Sequence, residues 1–106
     1  EFMKKRCIFL DRDGTINVYK KLLHDINDMK LIDGSAKAIK LINDSDYLCI
    51  VVSNQPVVAR NLCSIGDVFK INRKMEKLLA KENAYLDDIF ICPHHPDKGY
   101  PEENLK

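Results

Sequence analysis

Asp11 and Asp13 stand one residue apart where a short apolar run ends, in the stretch CIFLDRDGTIN over residues 7 to 17. Two carboxylates this close repel, so their ionised forms need a cation or a shared proton to coexist. Oxygen ligands of this kind suit Mg2+, which takes one or two carboxylates and leaves its other positions to water and substrate phosphate. Gly14 comes next, and a residue without a side chain lets backbone N–H groups approach a bound anion. The natural guest is a phosphoryl group, although D-x-D-G-T after a strand also reads as a solvated turn. With one residue between them in extended backbone, the two side chains leave the same face and both reach one centre.

Such residues need a scaffold, and the hydrophobic pattern supplies one. Residues 7–10, 48–52 and 88–91 are short apolar runs bounded by polar turn residues, each of strand length and fitting a sheet covered on both faces. Between them the spacing predicts two helices. The first covers about residues 35–43, with Ala38, Ile39 and Ile42 on one face after the turn signal Asp33-Gly34. In the second, Val68, Ile71, Met75, Leu78 and Leu79 recur at helical spacing, Ser64 and Asp67 open a capping box, and Asn83 is the stop. Strand alternating with helix implies an α/β fold with a parallel sheet. Residues 14–32 are too long for a simple connection and read as a polar flap over a site. In sheets of this class ligands bind outside the carboxyl ends of the strands. There the sequence places Asp11 and Asp13, then Ser53-Asn54-Gln55, then Cys92-Pro93-His94-His95.

Composition narrows the function classes. The chain has 106 residues, 45% of them hydrophobic, with a formal net charge of +1, which suits one small soluble domain. Its Lys and Arg residues are scattered, so no nucleic-acid partner is expected. No apolar run is long enough to span a membrane and no leader pattern is present, which makes the cytoplasm the expected compartment. Glu1 and Phe2 precede Met3 and read as an expression remnant, leaving residues 3–106 as the domain. Cys7 and Cys49 lie within apolar runs and are expected to be small core residues.

Taken with these elements, FLDRDGTIN resembles the first signature of the haloacid dehalogenase superfamily of phosphotransferases. VVSNQPVVAR resembles the second signature of one of its branches, and CPHHPD that branch's zinc loop, in the right order across residues 7–97. The branch contains D-glycero-D-manno-heptose 1,7-bisphosphate phosphatases and histidinol-phosphate phosphatases, and the spelling DGTIN is more similar to the former. The resemblance implies a Rossmann-like sheet sandwiched by helices, a sugar-phosphate substrate from surface heptose synthesis, and an aspartyl-phosphate intermediate. Asp11 would be the nucleophile and Asp13 the general acid and base. Mg2+ would bridge Asp11, the Asp13 carbonyl and the phosphate. Ser53 would hold the transferring phosphoryl group, Asn54 the phosphate or sugar, and Arg60 a distal phosphate, with Arg12, Tyr19, Lys20 and Gln55 as further substrate contacts. Cys92 and His94 would be two of four ligands to a structural Zn2+.

The chain departs from that pattern in several places. The family's Ser-Gly after the glutamine is Pro56-Val57 here, and its glycine after the arginine is Asn61, a residue that also tolerates left-handed backbone. The downstream Cys-x-Cys, the third-signature lysine and the fourth-signature acidic pair are all missing. The chain therefore reads as the N-terminal part of a phosphatase, ending after the third strand. Its first strand is expected to be an exposed apolar edge that invites self-association. Two other readings stand beside the heptose phosphatase: a histidinol-phosphate phosphatase, and an inactive phosphate-binding module.

Overall fold

The computed structural model describes residues 6–58 and 60–92. Three strands, β1 (Arg6–Leu10), β2 (Tyr47–Asn54) and β3 (Asp88–Cys92), form a parallel sheet in the order β1-β2-β3. Helix α1 (Ser35–Asn43) joins the first pair and α2 (Ile65–Ala80) the second. These are the expected elements, with β2 and β3 running slightly further toward the site.

Local chemistry explains the boundaries. Gly34, at φ +87°, turns the chain into α1 through left-handed backbone that costs glycine little. The buried side of α1 is Ala36, Ile39 and Asn43. Ile42 packs against the same core, so of the expected face Ile39 and Ile42 are inward and Ala38 is exposed. Asn43 then exchanges two hydrogen bonds, both 2.9 Å, with the backbone of Tyr85, which anchors the end of α1 to the approach of β3. At α2 the Ser64 hydroxyl accepts from the Asp67 amide while the Asp67 carboxylate accepts from the Ser64 amide, each at 3.1 Å. Beyond the other end, Asn83 takes φ +62° and redirects the chain.

Pairing in a parallel sheet puts partnered residues on one face. Leu10 pairs with Val51, which pairs with Ile89. Against this face pack Ile39 from α1 and Ile71, Met75 and Leu79 from α2, together with Cys49. Both helices thus cover the same side. On the opposite side Phe9, Val52 and Phe90 are 64%, 48% and 53% exposed. The expectation of a sheet covered on both faces fails for the described residues, and Cys7 is exposed rather than in the core for the same reason.

The segment 14–32 is not simply polar. Ile16, Leu23 and Met29 belong to the main core, and the excursion is closed where the Val18 amide donates to Lys30 (2.8 Å) and the Ile32 amide to Ile16 (2.9 Å). A 3-10 turn at Ile26–Asp28 lies against α2, where the Lys74 ammonium donates to the Ile26 carbonyl at 2.9 Å. The flap is therefore tied down at its base and flank.

Candidate active site

Beyond Leu10 the backbone bends at Arg12, and the amides of Thr15, Ile16 and Asn17 all point to the Arg12 carbonyl, at 3.2, 2.9 and 3.3 Å. Gly14 sits at φ +82°, which L side chains rarely adopt, and a Cβ there would lie 3.8 Å from the Cβ of Tyr19. This tight loop delivers Asp11 and Asp13 to the carboxyl end of the sheet.

Asp13 is the more constrained of the two acids. Its carboxylate accepts from Arg12 Nε at 3.1 Å, Arg12 Nη2 at 3.2 Å, Asn17 Nδ2 at 3.0 Å and Gln55 Nε2 at 3.1 Å. All four donors are N–H groups, matching the acceptor-only character of a carboxylate. Asp11 is exposed, and its Oδ1 accepts the Arg12 amide at 3.0 Å.

A cavity of about 380 Å³ opens over this loop. Asp11, Asp13, Tyr19, Lys20, Asn54 and Gln55 are on its wall. Six of the residues expected at the site are thus brought together from the β1 loop, the flap and the end of β2. Lys20 also pairs with Asp28 at 2.8 Å on the surface. The Gln55 amide bridges Asp13 and the Ser53 hydroxyl, so it is engaged inward.

Three expected contacts are placed elsewhere. Arg12 is fully buried, gripping Asp13 and donating through Nη1 to Asn72 Oδ1 at 2.9 Å. It does not line the cavity, and its visible contacts tie Asp13 to α2. Ser53 is buried beneath the wall with its hydroxyl against Gln55, because its alternation along β2 turns it to the helix-covered face with Val51. Arg60 does not line the cavity; its amide closes a turn onto Pro56 at 2.9 Å. Asn61 has φ +61°, so the left-handed turn expected of it is present. Pro56-Val57 brings Val57 and Val58 into a small second core with Val68.

Sequence reading missed Asn17 and Asn72. Asn17 lies within DGTIN, yet its type alone does not reveal that its amide cradles Asp13. Asn72 was detectable as a polar residue in the buried stripe of α2, between Val68, Ile71 and Met75.

For Mg2+, the residues present fit part of a site. Asp11 commits Oδ1 to the Arg12 amide and lies on the wall of the cavity, which accords with a cation that takes few carboxylates. Among the described residues, no group of three or more His, Cys, Asp or Glu is arranged to hold a metal. Cys92 is exposed at the end of β3; His94 lies outside the described residues. Nor is any described helix long and apolar enough to cross a membrane.

No protein-family model matches the chain. It is 38% identical over 96 residues to a D-glycero-beta-D-manno-heptose-1,7-bisphosphate 7-phosphatase of Haemophilus ducreyi, covering 90% of this chain and 53% of that one. Its fold matches a D,D-heptose 1,7-bisphosphate phosphatase from B. bronchiseptica, solved with magnesium and phosphate, at a TM-score of 0.82 and 32% identity, over 91% of this chain and 54% of the other. A candidate HAD-like phosphatase from Mesorhizobium loti matches at a TM-score of 0.84 and 29% identity, over 93% and 47%. The chain spans about half the length of the curated relatives it matches.

Proposed function

We propose that this chain, which has the sequence and fold of the N-terminal part of the haloacid dehalogenase-like phosphatases, carries the nucleophile and the acid–base residue of a Mg2+-dependent sugar-phosphate phosphatase. Its substrate is the 7-phosphate of D-glycero-D-manno-heptose 1,7-bisphosphate. One observation carries the reading: Asp11 and Asp13 share the wall of one cavity of about 380 Å³, Asp11 exposed and Asp13 held by four N–H donors. A binding module needs no acid fixed beside an exposed carboxylate.

The chemistry follows from those positions. A carboxylate oxygen of Asp11 attacks phosphorus, and the bond from phosphorus to the sugar oxygen breaks. Asp13, entering this step as the carboxylic acid, gives its proton to the leaving sugar oxygen and is left as the carboxylate. It then accepts a proton from the water that attacks the aspartyl-phosphate, which releases phosphate and restores Asp11. The donors around Asp13 present it as an acceptor, the form this second step uses. Tyr19, Lys20 and Asn54 orient the sugar and its distal phosphate from the flap and the end of β2. Bound Mg2+ would be held by Asp11 and the Asp13 carbonyl, and it neutralises charge that two acids and a phosphate could not otherwise bring together.

The test is phosphate release from both anomers of heptose 1,7-bisphosphate with Mg2+, comparing the chain with Asp11→Asn and including histidinol phosphate as a competitor. Because the third-signature lysine and fourth-signature acids are missing, little release is expected from the chain itself; any release should vanish in the variant, and the same pair is then compared in a chain extended through the downstream signatures, with little inhibition by the competitor. Release unchanged by the substitution would overturn the assignment of Asp11.

A further inference from the structure

Among the described residues, Arg12 is the one charged side chain in the buried set, and a buried charge is costly unless paired and hydrogen-bonded. Its pairing is divided. Nε and Nη2 face Asp13, while Nη1 reaches Asn72, sixty positions away on α2. Asn72 is itself buried, on a helix fixed by its capping box and by Val68, Ile71 and Met75 in the core.

We propose that Asn72 and Arg12 are positioning residues for Asp13: Asn72 fixes the guanidinium plane, and the guanidinium in turn aims the Asp13 carboxylate at the cavity. A planar fork with separated N–H groups can serve both partners at once, which an ammonium cannot do with the same geometry. The orientation of the acid is thereby referred to a helix anchored in the core rather than to its own loop. This rests on the phosphatase reading for its catalytic meaning, while the relay itself is a property of the folded chain.

Two measurements on Asn72→Leu and Asn72→Asp test it. The first needs no turnover: solvent exchange of the Arg12 Nε–H followed by nitrogen-15 NMR. Loss of the acceptor in Asn72→Leu is expected to speed exchange about tenfold with the backbone amide spectrum preserved, while Asn72→Asp keeps it slow. Exchange unaltered in Asn72→Leu overturns the relay. The second compares kcat/KM for heptose 1,7-bisphosphate, whose leaving oxygen needs a proton, with p-nitrophenyl phosphate, whose leaving group does not. Asn72→Leu is expected to lower the first by roughly 10- to 100-fold and the second by less than about threefold, with Asn72→Asp near the unsubstituted chain. Equal losses on both esters, or no loss on either, overturn the role toward Asp13. If the unsubstituted chain turns over neither ester, the phosphatase reading passes to a chain extended through the downstream signatures, where the same two esters test it, and the exchange measurement decides the relay in this chain.

Discussion

The clustering of Asp11, Asp13, Asn54 and Gln55 around one cavity was legible in the sequence because a strand end followed by polar residues points to the ligand side of a parallel sheet, whereas Tyr19 and Lys20, in the flap, were expected there from the family resemblance alone. Arg12 and Ser53 were not legible, since their roles depend on which way a side chain leaves a bend or a strand. Arg12 turns into the core and Ser53 alternates onto the helix-covered face. Gly14→Ala would force a methyl group into left-handed backbone at φ +82°; a loss of about 1 kcal/mol is expected in urea denaturation. Cys49 offers a second test at this scale. Burial, and then the negative charge of Asp87, push its thiol up to about 11. The folded state thus favours the protonated thiol, and this contribution is complete below the ordinary thiol value of 9.0 and is lost as pH rises through about 11. A thiol reagent at mildly alkaline pH should label the exposed Cys7 and Cys92 in the native protein and reach Cys49 only after unfolding.

At the scale of elements, periodicity and capping located all three strands and both helices, and Ser64 with Asp67 marked the start of α2. What escaped was the contribution of the flap to the core, because Ile16, Leu23 and Met29 follow no regular period. The hydrogen bonds from Ser64, backbone first and then side chain, hold the Asp67 carboxyl below its usual range. A depressed carboxyl contributes stability above its unfolded value and loses it as pH falls through the folded one. Asp67→Asn should therefore destabilise the protein near neutral pH and have little effect in strong acid, as read from denaturant midpoints at the two pH values. Met75 is fully buried where α2 meets the sheet; truncation to alanine should cost about 2–5 kcal/mol by the same measurement.

Across the whole molecule, alternating strand and helix predicted the α/β class, but strand order is not written in any local pattern. The order β1-β2-β3 leaves β1 at an edge and, with both helices on one side, leaves Phe9, Val52 and Phe90 facing outward. Apolar edges and faces of this kind recruit other chains. Concentration-dependent self-association is expected in sedimentation velocity and should weaken in Phe9→Lys and Phe90→Lys; a monodisperse monomer at all concentrations would refute it. The sheet also ends unevenly. Pairing of β1 stops at Leu10 opposite Val51, whereas β3 follows β2 as far as Asn54. The carboxyl edge is thus a stair whose tread is Val52–Asn54, and the end of that tread, Asn54, lies on the cavity wall. The length of β1 acts as a depth gauge for that step. One residue inserted between Leu10 and Asp11 would raise the acidic loop by about 3.3 Å, swing Asp11 to the other face of the sheet and fill the recess that the shorter strand leaves open.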